Sequence, residues 1–267
     1  MVTIGLVGCG AIGTHLAREI QRRFKESARL IGVYDANLSQ ARRLAGRLRP
    51  SVPVLSPGEL IRRSQLLVEA ASVSAARSWL PRATARGRPI LVLSSGSLLT
   101  WPKLLRQARA RRVPVYVPSG AIAGLDGVRA AAMGRLVSVH LVTRKPPAAF
   151  AGAPGLRRRR IRLEKLRRPR VLFRGPATQA ARAFPQNVNV AATLALAGLG
   201  GTRTRVTVIA DPSVRSNIHE ITATGSFGKL RVRVENRPSE NPRTSRLAMQ
   251  SATAMLARIL EPVQVGT

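Results

Sequence analysis

The chain has 267 residues, and its 45 Lys and Arg against 12 Asp and Glu give a formal net charge of +33. A disulfide scaffold is excluded because Cys9 has no partner cysteine, and disorder is disfavoured because 45% of the residues are hydrophobic and periodically spaced. No apolar run reaches the roughly 18 residues of a membrane helix, and the N-terminal segment lacks the features of a signal peptide. We therefore expect a soluble cytoplasmic protein of one large or two modest domains, without membrane contact.

The basic charge raises the question of a nucleic-acid or other polyanionic partner. The densest cluster of arginines lies between Arg157 and Arg170, and such a run could bind phosphates. A solvated loop explains it at least as well, because aromatic residues for base stacking make up only 3% of the chain. Polyanion binding stays an alternative.

The first 118 residues alternate apolar runs with amphipathic stretches. The runs predicted as strands are Thr3 to Val7, Arg29 to Tyr34, Leu66 to Ala70, Pro89 to Ser94 and Val113 to Val117. The stretches predicted as helices are Ala11 to Phe24, Ser39 to Leu48, Pro57 to Arg63, Ser74 to Arg86 and Trp101 to Arg111. Strands that alternate with helices indicate a parallel sheet with crossover helices. The fold class is α/β, with an N-terminal Rossmann dinucleotide-binding domain.

After Pro118 the pattern changes to strands with period-two alternation. The predicted strands are Leu136 to Arg144, Arg170 to Phe173, Arg203 to Ala210, Asn217 to Thr224 and Lys229 to Glu235, with a turn at Gly225 to Gly228 joining the last two. They indicate a second α+β domain with a mixed or antiparallel sheet that has one face exposed to solvent. We expect domain boundaries at 1–118 and 119–242, with a C-terminal helix in 243–267 packing back on the first domain.

The segment Gly8-Cys9-Gly10-Ala11-Ile12-Gly13 follows the first strand and opens the first helix. This G-x-G-x-x-G spacing is the dinucleotide fingerprint, with the pyrophosphate at the helix N-terminus. Asp35 ends the second strand, where a carboxylate accepts hydrogen bonds from ribose hydroxyls and repels a 2′-phosphate. NAD is therefore favoured as the cofactor, and Arg42 and Arg43 nearby keep NADP as the alternative. Cys9 is interpreted as a packed thiol, and we predict no metal site.

Three histidines occur in the chain, at His15, His140 and His219. For the first two, a structural or surface role is favoured. On composition alone the same would hold for His219, but a nicotinamide enzyme that oxidises an amine or alcohol needs a general base near its working pH. This requirement makes His219 the candidate.

Several motifs occur in an order that resembles the L-aspartate dehydrogenase family, relatives of homoserine dehydrogenase. Besides the glycine turn they are Pro118 to Asp126, Phe184 to Leu194, Ala210-Asp211-Pro212, Asn217 to Glu220 and Asn241 to Ser245. The resemblance covers essentially the whole chain. It implies oxidative deamination of L-aspartate with NAD or NADP to iminoaspartate, which either hydrolyses to oxaloacetate and ammonia or feeds NAD biosynthesis.

The resemblance also implies roles for particular residues. His219 matches the catalytic histidine of the family, and Ala121 and Asn189 match positions that contact the dinucleotide. Asn187, at a helix start, is either a cap or a substrate contact. The two substrate carboxylates require cationic partners, and the candidates are Arg144, Lys145 and Arg243, the last standing where the family commonly has Lys.

We expect L-aspartate to bind between the domains, where His219 accepts and donates protons. The alternatives are a dehydrogenase of another amino acid such as homoserine, and a Rossmann-fold protein recruited to nucleic-acid binding. A homodimer is expected from the exposed sheet face.

Overall fold

The computed structural model describes residues 1–158, 163, 166–184, 188–237, 239 and 244–266. The chain divides into two compact units, one formed by Met1–Pro118 with Met249–Gln264 and the other by Ser119–Ala248 with Val265–Thr267. In the described part, no helix is both long and apolar enough to cross a membrane.

The strands are β1 (Val2–Val7), β2 (Ala28–Tyr34), β3 (Leu66–Glu69), β4 (Ile90–Val92), β5 (Val115–Tyr116), β6 (Leu136–Lys145), β7 (Arg170–Pro176), β8 (Arg205–Ala210), β9 (Asn217–Gly225) and β10 (Gly228–Asn236). The helices of the first unit are α1 (Ala11–Arg22), α2 (Leu38–Arg47), α3 (Pro57–Arg63), α4 (Val73–Ala85), α5 (Gly96–Thr100) and α6 (Pro102–Ala110). Those that follow are α7 (Leu125–Ala131), α8 (Pro154–Arg158), α9 (Ala177–Ala183), α10 (Val188–Ala197), α11 (Gly200–Arg203) and α12 (Arg246–Leu260), with a 3-10 turn at Pro147–Phe150.

The first unit is built on a parallel sheet in the order β2-β1-β3-β4-β5. Its central strands β3 and β4 are buried along their whole length, as expected of a parallel sheet whose two faces are both covered by helices. Ile4, Leu6 and Val68 are fully buried in its core, and Ala252 and Leu256 of α12 belong to the same cluster. The predicted Rossmann arrangement is confirmed.

The second unit contains a mixed sheet in the order β10-β9-β6-β8-β7. Strand β6 runs parallel to β8 and antiparallel to β9, while β10 and β7 are antiparallel edge strands. On β10 the apolar residues Leu230, Val232 and Val234 are half-buried and the charged residues between them are exposed. Both the predicted one-sided sheet and the predicted turn at Gly225 to Gly228 are confirmed.

Candidate active site

The glycine turn after β1 has the geometry of a pyrophosphate cradle. Gly8 adopts a φ of +102°, and a Cβ there would collide with the peptide joining Ala70 to Ala71. A Cβ on Gly13 would collide with the carbonyl of Gly8, whereas one on Gly10 would meet no atom within 4 Å. The first and third glycines are therefore required for packing, and Gly10 leaves open space at the N-terminus of α1 for a ligand phosphate.

Asp35 lies beside this turn at the end of β2. Its Oδ2 accepts a hydrogen bond from the backbone N–H of Cys9 at 2.7 Å, and its Oδ1 accepts one from the N–H of Asn37 at 2.8 Å. These bonds fix the carboxylate beside the glycine turn, which leads into Ala11 and Ile12, the first residues of α1. Open space at Gly10, a helix N-terminus and a fixed carboxylate together fit a dinucleotide.

Cys9 is not equipped to act as a nucleophile. Burial, with a further contribution from the Asp35 carboxylate, raises the pKa of its thiol to about 12. The thiol therefore stays protonated at neutral pH, whereas nucleophilic attack requires the thiolate. Its packed position agrees with the interpretation drawn from the sequence.

Glu69, which the sequence analysis missed, ends β3 at the same edge of the sheet and is 0% exposed. Its Oε1 accepts hydrogen bonds from the N–H of Ala71 and the hydroxyl of Ser94, both at 2.9 Å, and its Oε2 accepts one from the N–H of Ser94 at 2.8 Å. One carboxylate thus joins the segments that follow β3 and β4. Burial raises the pKa of Glu69 although the hydrogen bonds from Ser94 and Ala71 oppose that shift.

A polar group of side chains lies at one end of the buried face of the second sheet. Residues that pair across strands, or stand two apart along a strand, share a face. Thr143 pairs with His219, Val234 pairs with His219, and Asn236 pairs with Asn217. The members of this polar cluster are Thr143, Lys145, Asn217, His219 and Asn236. Elsewhere the same face is apolar, with Val139, Leu141 and Ile221 each 1% exposed.

His219 is only 2% exposed, and its Nδ1 lies 3.1 Å from the hydroxyl oxygen of Thr143. Burial, together with the cationic Lys145, lowers its pKa to about 3. The imidazole is therefore neutral at physiological pH, and its pKa lies below the value near the working pH that we expected of a general base from the sequence. A neutral imidazole whose one ring nitrogen is held by a hydroxyl can accept a proton on the other.

Lys145 is the cation of the polar cluster. Burial lowers its pKa from 10.5 to about 8. The side chain therefore titrates close to physiological pH, unlike an exposed lysine. An ammonium group in this setting is a partner for a carboxylate of a ligand.

Arg144 is adjacent to Lys145 in sequence, but alternation along β6 places it on the other face of the sheet. Its Nη1 donates to Oδ2 of Asp211 at 2.6 Å, and Asp211 is 2% exposed. Burial alone would raise the pKa of Asp211, but the hydrogen bonds from Ser213 and Arg144 outweigh it and lower that pKa. Arg144 is thus committed to an ion pair, and the structure does not place it with His219.

The other two histidines bind hydroxyl groups away from this cluster. Nε2 of His15 lies 2.9 Å from the hydroxyl of Thr253 within the first unit, and Nε2 of His140 lies 2.9 Å from that of Thr207. Burial lowers the pKa of both rings. These contacts agree with the structural roles favoured from the sequence.

Comparison with known proteins identifies the family. Residues 126–259 match the model described as "Aspartate dehydrogenase, C-terminal", and residues 8–118 match "Homoserine dehydrogenase, NAD binding domain". The chain is 47% identical to an L-aspartate dehydrogenase of Methanosarcina acetivorans, with 100% of both chains covered. It is 40% identical to L-aspartate dehydrogenase 3 of Bordetella bronchiseptica, covering 99% of this chain and 97% of the relative. The chain belongs to the L-aspartate dehydrogenase family.

Solved structures show the same fold. The aspartate dehydrogenase of Thermotoga maritima matches with a TM-score of 0.76 at 22% identity, covering 100% of both chains. A homoserine dehydrogenase of Thiobacillus denitrificans matches with a TM-score of 0.61 at 14% identity, covering 97% of this chain and 73% of that one. The resemblance inferred from the sequence motifs is confirmed.

Two of the four remaining candidate residues, Ala121 and Asn189, lie in the described part of the chain. The carbonyl of Ala121 accepts a hydrogen bond from Nδ2 of Asn236 at 2.9 Å, and Asn189 is exposed on α10. Asn187 and Arg243 lie outside the described residues, as do Arg159 to Arg162 and Lys165 of the basic stretch. Thr143 and Asn236 were not predicted from the sequence, because the register that places them on the face of His219 joins strands distant in the chain.

Proposed function

We propose that the chain is an NAD(P)-dependent L-aspartate dehydrogenase that deaminates L-aspartate oxidatively to iminoaspartate, and onward to oxaloacetate and ammonia. The observation that carries the proposal is the neutral imidazole of His219 beside the ammonium of Lys145, at the end of a sheet face whose centre is apolar. The reaction needs both a proton acceptor and a carboxylate partner. A bound nicotinamide would accept the Cα hydrogen as a hydride, once the substrate ammonium has lost one proton to solvent, and would leave the substrate as an iminium.

His219 and Thr143 act as a pair in this proposal. In the tautomer that we propose, the Nδ1–H of His219 donates to the Thr143 hydroxyl and leaves the Nε2 lone pair to accept a proton. Once the substrate is an iminium, His219 takes a proton from the water that attacks its carbon. His219 returns this proton to the amino group of the resulting carbinolamine, the C–N bond breaks, and ammonium and oxaloacetate are released. Thr143 holds the ring orientation and touches no reacting atom.

Lys145 binds a substrate carboxylate in this proposal. Its ammonium is in low-dielectric surroundings, where an ionic hydrogen bond is stronger than in water. Arg144 has a structural role instead, because its guanidinium is paired with Asp211. Asn187 and Arg243 stay candidates for the substrate, and Asn189 and Ala121 for the dinucleotide.

The test is formation of NADH, followed at 340 nm with L-aspartate, D-aspartate, L-glutamate and L-homoserine in parallel. Turnover with L-aspartate alone supports the proposal. Turnover with L-homoserine instead would assign the chain to another amino acid. His219→Ala should reduce kcat by about 10²- to 10⁴-fold and leave NADH affinity intact. His140→Ala is the matched control, because that ring bonds Thr207 away from the polar cluster.

We further propose NAD over NADP as the preferred dinucleotide, on the strength of the fixed Asp35 carboxylate. Cytoplasmic location, supply of NAD biosynthesis and a homodimer are also proposed. The exposed Val137 and Val171 of the second sheet support a dimer, being 57% and 43% exposed. Analytical ultracentrifugation tests it. Polyanion contact through Arg157 to Arg170 stays a prediction, and it should weaken steeply with added salt.

A further inference from the structure

Asn236 ends β10 inside the polar cluster and has a buried acceptor atom that no described residue hydrogen-bonds. The residue is 3% exposed, and its Nδ2 donates to the carbonyl of Ala121. Among the described residues, its Oδ1 has no hydrogen-bond partner. The orientation of the amide is set chemically, because the carbonyl of Ala121 requires a donor and cannot face Oδ1.

A buried acceptor without a partner costs about 1–3 kcal/mol, and such atoms are rare in folded proteins. Four other buried polar side-chain atoms of the described part also have no partner: the hydroxyl oxygens of Ser64 and Thr204, and the N–H donors Trp79 Nε1 and Arg88 Nε. Asn236 differs from these four atoms because it lies in the polar cluster around His219. It stands two residues beyond Val234, the cross-strand partner of His219, on the face that carries Thr143 and Lys145.

The neighbouring groups favour a ligand with an N–H donor. Lys145 is itself a donor, and the neutral imidazole of His219 is held by Thr143. The amide oxygen of Asn236 is therefore an acceptor within a cluster that otherwise offers donors and a general base. The side-chain amide of Asn236 is a rigid group. Because its Nδ2 is bound to the carbonyl of Ala121, the position of its Oδ1 is fixed as well.

We propose that Oδ1 of Asn236 accepts a hydrogen bond from an N–H group of the bound ligand, while Nδ2 holds the segment at Ala121 in place. The inference rests on the proposed function. Two N–H groups have this chemistry, the α-amino group of the amino-acid substrate and the carboxamide of the nicotinamide. The measurements below separate them.

The experiment uses the full chain with Asn236→Ala and Asn236→Asp, and Glu235→Gln as the control on the exposed side of the same strand. The Ala variant removes both amide groups. The Asp variant keeps an acceptor and loses the donor to Ala121. Three constants are measured for each: the Kd of NADH by fluorescence, the KM of L-aspartate, and the Kd of succinate, a dicarboxylate without an amine. Thermal melting reports folding.

If the α-amino group is the donor, Asn236→Ala raises the KM of L-aspartate by about tenfold, the loss of one hydrogen bond, and leaves succinate and NADH unaffected. If the carboxamide is the donor, the Kd of NADH rises by about tenfold, and the 3-acetylpyridine analogue, which lacks that N–H, shows no difference. In either case Asn236→Asp retains part of the affinity, because it keeps an acceptor.

Two results overturn the proposal. Unchanged constants in Asn236→Ala would mean that Oδ1 binds only water. Equal losses for all three ligands in the Ala and Asp variants would mean that only the link to Ala121 matters. If wild-type protein binds NADH but does not turn over L-aspartate, the proposed function fails, and the NADH measurements still decide the carboxamide contact.

Discussion

The affinity for a dicarboxylate should fall above pH 8, because Lys145 loses its charge there. Burial lowers the pKa of Lys145 to about 8. If only the ammonium form binds, the Kd is proportional to 1 + 10^(pH − pKa), and it rises about tenfold between pH 7 and pH 9. The neighbouring groups do not titrate in this window, because the pKa of His219 is about 3 and that of Asp211 is lowered.

Succinate is the appropriate probe, because both of its carboxylates are ionised throughout the window and it has no amine to titrate. Its Kd is measured by calorimetry with NADH-loaded protein from pH 6.5 to 9.5. Lys145→Met should bind succinate about 10- to 100-fold more weakly at pH 7, the loss of a charge-assisted hydrogen bond, and without pH dependence. Lys229→Met, an exposed lysine on β10, should behave as wild type. A flat wild-type profile, or a slope that survives in Lys145→Met, would refute the assignment.

Three further variants test the rest of the site. Thr143→Val should lower kcat about tenfold, because it removes the hydrogen bond between Thr143 and His219. The affinity for NADH should stay unchanged, and Thr143→Ser should recover the activity. Equal losses of kcat in the Val and Ser variants would contradict this. Glu69→Gln places an amide donor against the N–H groups of Ala71 and Ser94. The free energy of unfolding should therefore drop by about 1–3 kcal/mol, and the Kd of NADH should rise. An unchanged melting curve would count against this prediction. Asp35→Ser should raise the NADP to NAD ratio of kcat/KM at least about tenfold by removing a like charge beside the 2′-phosphate, and an unaltered ratio would remove Asp35 from cofactor selection.

The sequence predicted those parts of the molecule whose geometry is set by neighbouring residues. Strand, glycine turn and helix are contiguous from Val2 to Arg22, so the spacing of Gly8, Gly10 and Gly13 is enough to indicate the phosphate cradle. The turn between β9 and β10 is local for the same reason. Short helices such as α7 and α9, of seven residues each, went unpredicted because they depend on packing more than on their own periodicity.

The composition of the polar cluster was decided by strand register, which acts between distant parts of the chain. Thr143 and His219 are 76 residues apart in sequence and meet because β6 and β9 pair in one register. Arg144 and Lys145 are consecutive basic residues that the sequence does not distinguish as partners for a carboxylate. Alternation along β6 directs Arg144 to Asp211 and Lys145 toward His219. A shift of one residue would exchange them. The sequence by itself therefore determined the family, the two domains and the catalytic candidate His219, and only the tertiary structure decided which side chains stand beside it.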